Sequence, residues 1–341
     1  MLPSEYQTLE HIMELFSHSG SAADIPPVSL YGESTLETDV TDAASYRLSN
    51  ETGTGHVTVY PVFPGVELYY NDIHLSYCRQ RQDTIQNGIE INHCRVGRYE
   101  CSFGENTCCY LSSGDLSISS LARRKSSSCF PLGHYRGITV LVNFDAFSPE
   151  IQQIAARLDI DLQHIQQYFC TENRCCIMRA TPAIEHIFSG LYSIRRQKKS
   201  GYRKIKMLEL LLFLCDLETE SELQQIQYFS QAQVRRIKAV AAYITEDITQ
   251  HHTIRTLSER FQMSPTTLKQ CFHGVYGTSI YAYLRMYRLQ CAQQLLLECK
   301  LSVSEIAHCV GYANPNKFAT AFKNTYGCTP TSFRNSVHLD R

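Results

Sequence analysis

Two stretches near the C-terminus carry the side chains best suited to reading a polar surface. Ser264-Pro265-Thr266-Thr267-Leu268-Lys269-Gln270-Cys271-Phe272-His273-Gly274-Val275-Tyr276-Gly277 returns fifty positions later as Asn314-Pro315-Asn316-Lys317-Phe318-Ala319-Thr320-Ala321-Phe322-Lys323-Asn324-Thr325-Tyr326-Gly327. Gln270 and Asn316 each present the paired donor and acceptor that suits an adenine edge. Lys269 and Lys317 are long cations able to reach guanine O6 and N7 or a phosphate. Such side chains read bases only when rigid elements hold them at groove spacing.

The flanking residues supply those elements. In each copy a Ser or Asn is an N-cap, Pro follows at the first helical position, and apolar residues recur at helical spacing, Leu268 with Phe272 and Phe318 with Phe322. The Gly after each aromatic ends the helix. A second short helix precedes each copy, Leu257 to Phe261 and Ser304 to Val310, and runs into a short turn. Two helices joined by a tight turn form a helix-turn-helix, whose second helix fits the DNA major groove. Between the units, Ser279 to Leu297 reads as one helix. Ile280, Leu284, Tyr287, Cys291 and Leu295 fall at steps of three or four, and Arg285, Arg288, Gln290, Gln293 and Gln294 take the other faces. At about 19 residues it spans roughly 28 Å, close to the separation of about 34 Å between successive major-groove faces.

From about Val234 to Arg334 the chain closely resembles the AraC/XylS family of bacterial transcription regulators. The residues that carry the resemblance are Arg288-Leu289 with Ala292, Leu295-Leu296, Ser304-Glu305-Ile306-Ala307, the Gly311-Tyr312 turn, Phe318, Phe322-Lys323, Tyr326-Gly327, Thr329-Pro330 and Phe333-Arg334. The second unit fits better than the first. In the first, Ser258 stands where the second has Ala307, and the turn Gln262-Met263 lacks a Gly. The resemblance implies that Pro265, Thr266, Lys269, Gln270 and His273 face DNA from the first reading helix. From the second it implies Asn316, Lys317, Thr320 and Lys323. Leu268, Phe272, Phe318 and Phe322 then face the core. Ala313 to Phe318 is similar to the branch that includes siderophore and iron-uptake regulators.

Composition agrees with a DNA-binding part joined to something else. The net charge of −1 hides a balance of +7 over Ser230 to Arg341, from 13 Lys and Arg against 6 Asp and Glu, and of −8 over the remainder. A basic block on an acidic body fits a phosphate-binding domain beside one that does not bind DNA. No run approaches the eighteen or more apolar residues of a membrane span, and the start Met1-Leu2-Pro3-Ser4-Glu5 has no signal-peptide pattern, so a cytoplasmic protein is expected. The 15 cysteines include no Cys-x-x-Cys pair. They read as free structural thiols, with a redox or metal role as the alternative.

The expected fold class is α+β. Residues 1–45 read as a lead-in with a short helix from Tyr6 to Phe16. Residues 46–147 form a barrel or jelly roll, 148–229 a helical dimerisation and linker segment, and 230–341 the DNA-binding domain. The strand candidates are Val57 to Phe63, Val66 to Tyr70, Ile73 to Cys78, Glu90 to Cys94, Arg98 to Phe103, Thr107 to Leu111, Asp115 to Ser119 and Ile138 to Asn143. The family resemblance implies a cupin-like barrel here that binds a small effector. Asn92 to Glu100 either presents His93, Arg95 and Glu100 to a cavity or is a solvent-facing hairpin with cross-strand ion pairs. His93, His74 and His134 lack the tight His-x-His spacing of a cupin enzyme, so no metal, cofactor or enzymatic activity is expected.

Helices are expected over Pro149 to Leu158, from Thr181 to about Lys199, and over Gly201 to Leu217. The last is apolar enough to be either a dimer helix or fully buried within the monomer. The basic run Arg195 to Lys204 reads as a solvated turn or a second DNA contact. Together these features imply a sequence-specific DNA-binding transcription regulator, an effector-responsive activator working as a homodimer on double-stranded DNA with RNA polymerase. The alternative is a regulator whose N-terminal part only oligomerises or binds a protein partner, without a small-molecule effector.

Overall fold

Apolar side chains on both faces of the central strands dictate how the N-terminal part is layered. The computed structural model describes residues 30–32, 34–40, 43–80, 85–103, 106–123, 127–170, 175–194, 200–217, 227–298 and 301–339. The expected helix from Tyr6 to Phe16 and residues 195–199 of the basic run lie outside them. The chain divides into two units, Met1–Tyr228 and Phe229–Arg341.

The N-terminal unit contains β1 (Ser34–Val40), β2 (Ala43–Asn50), β3 (Gly53–Phe63), β4 (Val66–His74), β5 (Tyr77–Arg79), β6 (Gly88–Gly97), β7 (Tyr99–Phe103), β8 (Thr107–Leu111), β9 (Leu116–Ser120), β10 (Ser127–Cys129), β11 (Tyr135–Asn143) and β12 (Cys175–Met178). Eight of them form one antiparallel sheet in the order β1-β2-β3-β4-β11-β6-β9-β12. Side chains alternate across a strand. Leu68 and Tyr70 of β4, Ile89 and Ile91 of β6, and Ile138, Val140 and Val142 of β11 therefore share one core. Tyr69, Ile73, Cys94, Tyr135 and Leu141 share the other.

Four helices cover the first face: α1 (Pro149–Arg157), α2 (Leu162–Phe169), α3 (Pro182–Ser193) and α4 (Ser200–Cys215). Thr181 caps α3 by accepting from the Ile184 amide, with Pro182 at the first helical position. The Tyr70 hydroxyl donates to the Leu191 carbonyl at 2.7 Å and pins α3 to the sheet. On the second face lie the antiparallel pairs β5–β10 and β7–β8. A chain of polar side chains runs through that core. Tyr31 donates to Asn71 at 3.3 Å, Asn71 to Thr139 at 2.9 Å, Thr139 to Asn92 at 2.7 Å, and Asn92 to Glu90 at 2.8 Å. Each link satisfies a group that burial would otherwise leave unpaired.

Several expectations need correction. Ile73 to Cys78 is not one strand: Ile73 and His74 end β4, and β5 begins at Tyr77. β1 occupies part of the expected lead-in, and β12 interrupts the expected helical segment by pairing with β9. Asn92 to Glu100 is not a hairpin, because β6 pairs with β11 and β9 while β7 pairs with β8. Gly97 makes the change of partner possible. Its φ is +91°, and a Cβ there would lie 2.2 Å from the His134 carbonyl oxygen. In α4, Met207, Leu208, Leu210, Leu211 and Leu214 are buried, whereas Tyr202, Ile205 and Leu212 are exposed. Among the described residues no helix is long and apolar enough to cross a membrane.

The C-terminal unit is helical: α5 (Gln231–Glu246), α6 (Ile254–Arg260), α7 (Pro265–Tyr276), α8 (Ile280–Glu298), α9 (Val303–Cys309), α10 (Pro315–Tyr326) and α11 (Pro330–Leu339). α8 is the long helix expected between the repeats, but its buried residues are Ile280, Leu284, Leu289, Ala292 and Leu296. Tyr287 is exposed, and Cys291 and Leu295 are half-buried. One stripe does not describe α8, because its two ends pack into different cores.

The polar chain in the β core yields a prediction. Thr139→Val keeps shape but leaves Asn71 without its acceptor and Asn92 without its donor. It should lower unfolding free energy by about 1 to 3 kcal/mol in chemical denaturation, more than an isosteric change at a half-buried site.

Candidate nucleic-acid interface

The two helix pairs are built alike. In the first, the Met263 amide donates to the Ser258 carbonyl at 3.0 Å; in the second, Tyr312 donates to Ala307 at 2.8 Å. Gln262 and Gly311 occupy the equivalent turn position with φ of 51° and 81°. The missing glycine of the first turn is thus replaced by a glutamine held in the left-handed region, at a steric cost glycine does not have. Ser258, buried where the second unit has alanine, satisfies its hydroxyl on the Arg255 carbonyl at 2.8 Å.

The N-cap of α7 is Ser264, accepting from the Thr267 amide at 3.1 Å, and that of α10 is Asn314, accepting from Asn316 at 2.9 Å. Gly277 and Gly327 close both helices in the left-handed conformation, φ 72° and 78°, donating to His273 and Lys323. These caps fix which face looks inward. Leu268, Phe272, Phe318 and Phe322 are completely buried. Pro265, Thr266, Lys269, Gln270 and His273 of α7, and Asn316, Lys317, Thr320 and Lys323 of α10, are all exposed. Exposed amides, hydroxyls and amines on two capped helices can donate to and accept from base edges and phosphates.

A residue that periodicity put on an outer face holds the two pairs together. Arg288 of α8 donates from Nε to the Ile248 carbonyl at 2.6 Å and from a terminal nitrogen to Gln250 at 3.3 Å. A Cβ on Gly311 would lie 2.7 Å from that Ile248 oxygen and 3.0 Å from the guanidinium. Arg288 therefore ties the loop after α5 to the turn of the second unit. Its place in the repeat-flanking pattern signalled importance, but only the fold shows that its partners are carbonyls.

The N-terminal unit has a separate cleft of about 460 Å³, lined by His93, Arg95, Ser113, Gly114, Glu185, Ser189, Tyr192 and neighbouring residues. His93 stacks on Phe188 with ring centres 4.2 Å apart, and its Nδ1 lies 3.1 Å from the Tyr192 hydroxyl. Burial, aided by the Arg95 charge, lowers its pKa to about 4, so the imidazole is neutral at physiological pH. Arg95 lies over the Tyr192 ring at 4.4 Å. Glu100 does not line this cleft; on β7 it accepts from Tyr110 at 3.0 Å. The other two histidines are apart from His93: His74 pairs with Asp72, and His134 with the Leu132 carbonyl. Among the described residues no group of three or more His, Cys, Asp or Glu is arranged to hold a metal. Sequence reading missed Glu185, Ser189 and Tyr192, although their helical spacing on α3 was a signal.

Residues 257–336 match the family model described as a helix-turn-helix domain. The virulence regulon transcriptional activator VirF of Yersinia enterocolitica is 27% identical over 176 residues, 51% of this chain and 64% of that protein. The HTH-type transcriptional regulator ExsA of Pseudomonas aeruginosa is 26% identical over 155 residues, 46% of this chain and 55% of that one. The chain thus spans less than two thirds of the length of these relatives. Among solved structures, the DNA-binding domain of AdpA in complex with a target DNA is 26% identical. It covers 31% of this chain and 96% of its own, with a TM-score of 0.30.

Two predictions follow from the helix faces and the turns. Phe318→Ala should lower the stability of the C-terminal unit by about 3 to 5 kcal/mol, whereas Lys317→Ala should leave the melting temperature nearly unchanged; thermal melts of the two variants separate core from surface. Gly311→Ala should cost on the order of 1 to 3 kcal/mol by forcing a Cβ onto the Ile248 carbonyl in a left-handed turn, while Gln262→Gly should change stability by no more than about 1 kcal/mol. Equal losses from the two would contradict the turn geometry.

Proposed function

We propose that this chain, whose C-terminal unit is an AraC-type helix-turn-helix domain, is a sequence-specific transcription regulator that lays α7 and α10 in successive major grooves of double-stranded DNA. The observation that carries this reading is the common exposure of Pro265, Thr266, Lys269, Gln270, His273, Asn316, Lys317, Thr320 and Lys323 on two helices whose opposite faces are fully buried. The +7 balance of this segment adds the sequence-independent attraction to phosphate. VirF, named a transcriptional activator, supports activation; RNA polymerase is then the partner that an activator of this kind would engage.

The N-terminal unit, read as a cupin-like sensor, supplies the regulation. A small-molecule effector binds in the cleft beside His93 and Arg95 and biases the unit toward one of two arrangements, changing DNA affinity by no more than the effector's differential affinity for them. The exposed strip Tyr202, Ile205 and Leu212 of α4 is the surface through which two copies dimerise.

The test uses the full chain. Selection from random double-stranded DNA should enrich a site with two recognised segments about 10 base pairs apart, and binding to it should fall steeply with salt. Asn316→Ala should relax preference within one segment, and Lys317→Ala should weaken binding to all sequences. No enriched sequence, or a single segment that Asn316→Ala leaves unchanged, would overturn the two-groove reading.

A further inference from the structure

All cysteines of the described residues are free thiols. Most behave as small hydrophobes, and burial raises the pKa of Cys94 to about 12 and also raises that of Cys271. Three depart from this. Cys101 of β7 and Cys109 of β8 are direct register partners in an antiparallel pair. Partners of this kind have Cα atoms about 4.5 to 5.5 Å apart, inside the range of about 4.4 to 6.8 Å that a disulfide spans. Their side chains leave the same face and enter the same core, where Cys175, the first residue of β12, packs against them. Cys101 and Cys109 are buried, and Cys175 is half-buried.

Polar interaction with Cys109, then Cys175, pulls the Cys101 pKa down, with a smaller contribution from Ser117, against the opposing effects of burial and the Glu90 charge. A structural thiol needs neither two thiol neighbours nor interactions that favour its anion. The arrangement combines a nucleophile with a cross-strand resolving partner, Cys109, and a second thiol, Cys175, in the same core.

We infer that Cys101, Cys109 and Cys175 form an oxidation site that reacts with hydrogen peroxide and closes a disulfide on Cys101. The Cys101 sulfur attacks one peroxide oxygen; the S–O bond forms, the O–O bond breaks, and hydroxide leaves to become water. The thiol of Cys109 or Cys175 then gives up its proton and attacks the sulfenic sulfur. The S–S bond forms, the S–O bond breaks, and a second water leaves. Two thiols have lost two electrons, and the peroxide has taken them. A bridge to Cys175 ties the β7–β8 hairpin to the edge strand of the main sheet; a bridge to Cys109 locks the hairpin alone.

The experiment treats the reduced full chain with less than one equivalent of hydrogen peroxide, blocks remaining thiols by alkylation, and maps peptides by mass spectrometry. The expected product is a disulfide containing Cys101, formed at least about tenfold faster than oxidation of the exposed Cys309, which has no cross-strand cysteine partner among the strand pairs described. The partner peptide identifies which bridge forms. Replacing both Cys109 and Cys175 by Ser should leave Cys101 unresolved, detected as a sulfenic acid by a dimedone probe, while Cys94→Ser should leave the wild-type pattern intact. Cys101 recovered fully alkylated while Cys309 oxidises first would overturn the proposal. The wild-type peptide map decides this whether or not the double variant folds.

Discussion

The C-terminal unit depends on one constraint: a single helix must be buried in two cores at once. Ile280 and Leu284 anchor the start of α8 and Leu289, Ala292 and Leu296 its end. The five-residue step from Leu284 to Leu289 turns the buried face by about 140° around the axis. α7 and α10 each pack on their own end of α8, with Phe318 and Phe322 in the second core. The rotation built into α8 therefore sets how α7 and α10 are oriented relative to one another. Arg288, placed between the two sets of buried residues, fastens the loop after α5 through two carbonyls. Without that fastening, helices with the right caps and side chains would lack a common frame.

The N-terminal unit obeys a comparable rule in β form. A sheet buried on both faces must be covered twice, and helices on one side with short strand pairs on the other do so. Tertiary packing also decides the state of individual groups there. His93 is stacked on Phe188 and neutral, while Arg95 two residues on lies over a tyrosine at the cleft.

Legibility in the sequence followed the range of the interactions. The caps Ser264 and Asn314, the closing glycines Gly277 and Gly327, and the inward pairs Leu268–Phe272 and Phe318–Phe322 are local features, and all were readable from spacing. Strand cores such as Thr107 to Leu111 were equally readable. What spacing could not supply was partner choice. Asn92 to Glu100 looks like a hairpin because a turn glycine sits between two strand-like runs, yet Gly97 directs the chain from the main sheet into another pair. Tyr287 fell in register with a single apolar stripe that α8 does not have. Arg288 looked solvated because its acceptors lie about forty residues away. In each case the deciding contact is distant in sequence.

The segregation of charge has a mechanical consequence. In the field of a polyanion the basic unit is pulled and the acidic remainder pushed, so the chain experiences a torque as well as an attraction. That torque acts before any contact and favours approach by the basic unit, which carries α7 and α10. Its reach is set by the screening length, about 10 Å at 0.1 M salt. Ionic strength therefore governs the orientation of approach as well as the strength of the final grip.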